Sequence, residues 1–266
     1  MSAHPAPPAL GDQARDFAEK ITQTARLFAG DRCTPFTADI QDPGSQGVPN
    51  SALIIVSQQE GGFPVYTNGE PHFSVEASWE CSYDGQGRWM RIRSSEVRVL
   101  SAADGRRPIF RYEFYLNQAQ DLPAAHIHFH GDHPAMNQDD TLDALNHSLD
   151  KCGAGSPRAK RIQKGKKKPL LSSLHFPVGG VRFRPILEDV LLMLIEEYGA
   201  EPQGDTRENT IKHLERHVLE WRTTQVQAVV QDMPATACQA LSAMGYQITP
   251  PDSGAYPDKP EKIARR

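Results

Sequence analysis

The spacing of apolar positions changes along this chain, and the change predicts different elements in its two halves. Phe17, Ile21, Ala25 and Phe28 recur at helical spacing within Asp12–Ala29, which predicts one amphipathic helix. Residues 30–50, rich in Gly, Pro, Asp and Thr, read as loop, and Ser51–Ser57 as a buried strand. A period of two then takes over. Phe73, Val75, Ala77, Trp79 and Cys81 alternate with Ser74, Glu76, Ser78, Glu80 and Ser82, the pattern of a half-buried strand. After the turn residues Asp84-Gly85-Gln86-Gly87, Trp89–Leu100 reads as the returning strand. Phe110, Tyr112, Phe114 and Leu116 mark the apolar side of the next, with Arg111 and Glu113 on the other side, and Ala125–His130 closes the run. Short links predict an antiparallel meander.

Helical spacing returns in Thr141–Leu149, Ile186–Tyr198, Thr206–Asp232 and Ala235–Met244. Leu170–Phe176 reads as an edge strand and Gly245–Ile248 as a small one. The expected fold class is therefore α+β, an antiparallel β-meander in the first half packed against helices mostly from the second half. Residues 1–10 and the Pro-rich, charged tail 250–266 read as disordered, leaving 11–249 as a single domain.

Composition narrows the class. With 266 residues, 38% hydrophobic, the chain is long enough for a sizeable core. No run of about 18 apolar residues predicts a transmembrane helix, and nothing at the N-terminus resembles a secretory signal. Cys33, Cys81, Cys152 and Cys238 are far apart without a C-x-x-C pair, so they read as free thiols in a reducing cytoplasm. Net charge is −4, but residues 151–168 hold eight basic residues and no acid. Removing those eight from the 29 leaves 21 basic residues against 33 acidic ones. This segment (Lys151, Arg158, Lys160, Arg161, Lys164, Lys166, Lys167 and Lys168) reads either as a solvated loop or as an arm that steers RNA.

The candidate chemistry centres on HIHFHGDH, where His126, His128, His130 and His133 fall within eight residues. In a strand, the first three share one face, with Ile127 and Phe129 turned to the core. Residues i and i+2 stand roughly 6.8 Å apart and i and i+4 about 13 Å. An adjacent pair can thus share a metal with a third ligand from elsewhere, such as His133, Asp132 or His175, whereas His126 and His130 together cannot. The same spacing suits a general acid and base astride a phosphodiester. A second segment, SSLHFPVGGVRFRP, brings His175, a Gly179-Gly180 turn, Arg182 and Arg184 to a helix start, a composition suited to phosphate. It is not a P-loop, and no G-x-S-x-G nucleophile context exists. His213 and His217, four apart on a helix, read as solvated, and Trp79 and Trp221 as core.

Two family patterns bear on this. H-x-H-x-H with apolar spacers occurs in histidine-triad nucleotide hydrolases, but here Gly131-Asp132 follows and the upstream pattern of that family is absent. The order Arg111-Tyr112-Glu113-Phe114, His126–His133, His175-Phe176 and Leu187-Glu188-Asp189-Val190 resembles the small TumE-like toxins of bacterial toxin–antitoxin pairs, over residues 90–200 or so. This chain is longer, with wider spacing between the motifs. The resemblance implies an RNA-directed activity and an antitoxin partner.

The first functional expectation is accordingly a cytoplasmic phosphodiester-cleaving enzyme acting on RNA, a toxin-like ribonuclease without a cofactor. His126, His128, His130 and His175 would move protons, and Arg111, Arg182 and Arg184 would bind phosphate. The alternatives are a metal-dependent hydrolase or cupin-like metalloprotein holding zinc or another divalent metal among His126, His128, His130 and His133, and a non-catalytic binding module.

Overall fold

The computed structural model describes residues 9–41, 53–58, 62–84, 88–116, 122–131, 175–249, 251–252, 254 and 256–264. The basic segment 151–168, the helix expected at Thr141–Leu149, and Asp132 and His133 lie outside them.

An antiparallel sheet forms the first half and helices dominate the second, as the change of period predicts. Its strands are β1 (Thr37–Gln41), β2 (Leu53–Ser57), β3 (Phe63–Thr67), β4 (Glu70–Tyr83), β5 (Met90–Ser101), β6 (Asp104–Tyr115), β7 (Ala125–Phe129) and β8 (Phe176–Pro177). The pairing path runs β1-β2-β4-β5-β6-β7-β8. β5 takes one edge of the long β4, so β2 and β3 divide the other edge, at Ser78–Cys81 and Glu70–Val75.

The helices are α1 (Leu10–Ala29), α2 (Leu187–Tyr198), α3 (Arg207–Asp232), α4 (Pro234–Ala243) and α5 (Glu261–Ala264). α1 packs on β1 to β5 and touches α3, which packs on α2. The period-two residues Val75, Ala77 and Trp79 of β4, Val97 and Val99 of β5, Phe110 of β6 and Ile127 of β7 line one sheet face. Ile21, Ala25 and Phe28 from α1 and Leu191, Leu194 and Ile195 from α2 complete that core. α3 starts at Thr206, whose hydroxyl accepts the Asn209 N–H at 3.2 Å. α2 ends at Gly199 in the left-handed region, φ 65°.

Several expectations are corrected. β1 forms inside the stretch read as loop, because alternation there is too short to register against its Gly and Pro content. β3 had no prediction at all. Gly245–Ile248 forms a turn and irregular chain, not a strand. Leu10, assigned to the disordered end, begins α1 and is buried. The tail read as disordered is tied down: Asp258 accepts the N–H groups of Ala235 and Thr236 at the start of α4, and Lys259 donates to the Asp232 carbonyl. Phe129, expected in the core, is 41% exposed at the end of β7, where its ring meets those of Phe110 and Phe176.

Candidate metal centre

Register places the polar face. β6 pairs β7 with Arg111 opposite His128 and Glu113 opposite His126, and β5 pairs β6 with Arg98 opposite Arg111 and Glu96 opposite Glu113. β8 pairs β7 with Pro177 opposite His126 and Phe176 opposite Ile127, so the next residue out, His175, falls beside His128. One cross-strand row thus reads Glu76, Arg98, Arg111, His128, His175, and its neighbour Ser78, Glu96, Glu113, His126.

The three imidazoles close on one another. The His175 ring centroid lies 4.3 Å from that of His128 and 4.8 Å from that of His126. One ring nitrogen from each falls within 4.8 Å of the other two. His126 and His128 are 1% and 2% exposed, although the alternation predicts a solvent-side face for them. His130 continues the row of rings 6.4 Å from His128 and is not in the triad.

Glu113 is the hub. Its Oε2 stands 3.1 Å from His126 Nε2, 2.8 Å from His128 Nε2 and 3.5 Å from Arg111 Nε, while Oε1 accepts from the Tyr115 hydroxyl at 3.2 Å. Burial alone would push its carboxyl up, but the hydrogen bonds of His126 and His128 and the charge of Arg111 overcome that and hold it well below the usual range. Burial and the Glu113 charge push the Tyr115 hydroxyl up to about 12. Burial, with the charges of Arg111 and His128, keeps His130 low.

The donor count at His126 is informative. Its Nδ1 lies 2.8 Å from the Pro123 carbonyl, which only accepts, so Nδ1 carries a proton. Its Nε2 faces a carboxylate, a second pure acceptor. Either the buried ring carries two protons, or the Nε2 lone pair meets a cation shared with Glu113. Ligand atoms at about 2.1 Å around a tetrahedral ion stand about 3.4 Å apart. The spacings of 2.8 and 3.1 Å between Oε2 and the two Nε2 atoms are those of hydrogen bonds, so Glu113 stands as the partner that orients the histidines, and the candidate ligand set is His126, His128 and His175.

The arginines divide. Arg111 is on the histidine face. Arg184 lies across the Phe114 ring, 3.9 Å from its centroid, and 5.0 Å from that of Trp221. Phe114 alternates with Glu113, so Arg184 sits on the opposite side of β6. Burial pulls its pKa down to about 10. Arg182 is paired with Asp232, with Nε and Nη2 each 2.6 Å from Oδ2. The Gly179-Gly180 turn has a local cause: both glycines have positive φ, and a Cβ on Gly179 would fall 1.3 Å from the Phe183 carbonyl oxygen. His175 therefore joins the strand histidines, whereas Arg182 and Arg184 do not. Arg158, Lys160, Arg161, Lys164, Lys166, Lys167, Lys168 and His133 lie outside the described residues.

Sequence reasoning set Glu113 on the polar face without assigning it a role. The available signal was the register of β6 on β7, which residues 117–124 do not encode. Compared with protein-family models, curated proteins and solved structures, the chain matches none. The likeness to TumE-like toxins rests on motif order alone. Among the described residues no helix is long and apolar enough to cross a membrane.

Proposed function

We propose that this chain is a metal-dependent hydrolase whose ion is held by His126, His128 and His175 with Glu113 beside them. The observation that supports the reading is the place of His175, one residue before β8, which adds a third imidazole to the His126–His128 pair, with one ring nitrogen of each within 4.8 Å of the others. Imidazole-rich sites with one carboxylate favour zinc, iron, manganese, nickel or copper over magnesium and calcium. Such an ion would polarise a substrate oxygen and activate water. The Pro123 carbonyl would fix the His126 tautomer with Nε2 as the ligand atom, the outer hydrogen bond that ligating histidines usually make. Arg98 pairs with Glu76 and Glu96, and Arg111 with Glu96 and Glu113, so the basic segment 151–168 is the feature that keeps phosphoesters, RNA included, as the class to assay first. The free thiols of Cys33, Cys81 and Cys238 fit a reducing cytoplasm. An antitoxin-like partner remains a proposal from motif order.

The test is elemental analysis of untagged protein, followed by zinc and manganese titration of stripped protein. The expected result is about one ion per chain. Alanine at His126, His128 or His175 should abolish it, and His130→Ala should retain it. Folded protein that neither carries nor takes up an ion overturns the reading. The same histidines would then stand as proton carriers, to be tested directly for RNA cleavage.

A further inference from the structure

α3 has two unlike sides. Its inner side supplies His213, His217 and Trp221 to a cavity of about 610 Å³ between α1, α2 and α3. The expectation of solvated histidines and a core tryptophan does not hold: all three are half-buried and line this cavity. The outer side carries Leu219, Thr223, Val226 and Val230. Steps of four, three and four residues are the spacing of a seam that a second helix covers. Yet Leu219 is 67% exposed, Val226 55% and Val230 46%, so the seam is bare.

α4 has the matching defect. None of its 10 residues is buried, and no charged residue occurs from Met233 to Pro251. Leu241, Met244 and Tyr246 at its far end are exposed. A helix this short is marginal in water by itself, and helices in proteins are held mainly by an apolar face that packs. The link explains why α4 leaves the seam of its own chain uncovered. Met233 alone separates α3 from α4, whereas a helix needs about 2–5 residues to turn back along its neighbour. The lengths agree, since the seam from Leu219 to Val230 rises about 16 Å and α4 about 15 Å.

We propose that the chain forms a twofold dimer in which α4 of each copy packs Leu241, Met244 and Tyr246 on the Leu219–Val230 seam of the other. Exchanging an element between identical copies is a low-cost route to a dimer. A second copy fits better than another protein for three reasons. Each chain carries one bare seam and one uncovered α4, so two copies satisfy each other fully. Neither face carries a charge, so their contact sets no like charges together. The six exposed side chains present several hundred Å² per copy, the scale of the roughly 800 Å² per partner that a stable interface buries.

The proposal does not depend on the histidine triad of the sheet. Sedimentation of the full chain at micromolar concentration tests it, and a mass twice the 29.5 kDa of one chain is expected. Val226→Glu and Leu241→Lys each put a charge into both contacts of the pair. Either protein alone should therefore associate about a hundredfold more weakly. Mixed together, the two should regain a dimer, because one contact then joins an unsubstituted seam to an unsubstituted α4. Both positions are exposed, so the fold should survive, as far-UV circular dichroism will show. Leu219→Glu and Met244→Lys stand in if either variant fails that check. A monomeric unsubstituted chain, which would leave the seam to a different protein, overturns the proposal. So do dimers that withstand both substitutions, or a mixture that stays monomeric.

Discussion

Among the described residues, histidine rings gather in the sheet triad and in the His213–His217 pair of α3, and their surroundings differ. His126 and His128 sit two apart on a strand and turn their Nε2 atoms to one carboxylate oxygen, while the Nδ1 of His126 faces a carbonyl. Acceptors are in excess there, and only protons or a cation can balance them. His213 and His217 sit four apart on a helix with ring centroids 4.1 Å apart. Arg216 donates to His213 Nδ1, while His217 Nδ1 stands 3.4 Å from Glu188 Oε1, so donor and acceptor are matched there. The same residue type thus meets an excess of acceptors in one place and a balanced pair of partners in the other. What decides is the count of donors against acceptors around the rings, not the histidines themselves.

The strongest way to break this contrast is to add an ion. At zinc a thousandfold above its Kd, the centre should stabilise the fold by about 4 kcal/mol. At about 2–4 °C per kcal/mol for a chain of this size, the melting midpoint should rise about 8–16 °C, read by calorimetry. A similar rise in a His126→Ala/His128→Ala/His175→Ala protein would place the ion elsewhere. Next come the pairs themselves, in stripped protein. His126→Leu takes a partner from a buried carboxylate and should cost about 3 kcal/mol in denaturant unfolding, at the lower end because His128 and Arg111 remain. His213→Leu takes a partner only from the exposed Arg216 and should change stability by less than about 1 kcal/mol. Equal costs would erase the contrast. Glu113→Gln should weaken zinc about 10–100-fold, the usual range for groups that orient and tune metal ligands. A titration with unchanged affinity would remove Glu113 from the centre.

The smallest effect concerns a carboxylate whose partners all donate. Hydrogen bonds from the Thr236 side chain, and from the N–H groups of Thr236 and Ala235, hold the Asp258 carboxyl below its usual range. A depressed folded value means that the contact is fully formed above the usual carboxylate range and is lost as pH falls through the lower folded value. Hydrogen exchange should show the Ala235 and Thr236 amides protected near about pH 6 and released in acid, and already released in Asp258→Ala at either pH. Protection that ignores both acid and the substitution would disconnect the tail from α4.

Much of the fold was legible because alternation survives burial on one face. Phe73 to Cys81 and Phe110 to Leu116 announced β4 and β6, and helical spacing over Thr206–Asp232 announced α3 to within a residue. β3, five residues with a proline inside, offered no comparable signal. At the site, spacing alone ruled His126 and His130 out as a joint chelate and put His175 among the third ligands to consider. It could not tell that Arg184 would be drawn across to Phe114 and Trp221, since alternation within a loop before a helix says nothing about faces. Nor could it find the α1–α3 cavity, which depends on how a helix from residues 10–29 meets one nearly 200 residues later. His213 and His217 looked like a wet pair because they fall off the apolar stripe of their own helix.

β8 is two residues long, yet it brings in His175. An ion gripping His128 and His175 would cinch residues 47 positions apart in sequence, behaving as a reversible cross-link at the rim of the sheet. Closing so long a loop has an entropic cost that grows only slowly with length, so one coordinate bond is well matched to it. The short strand and the ion would then come and go as one unit, and the rate at which the rim unzips would set the rate at which the metal leaves.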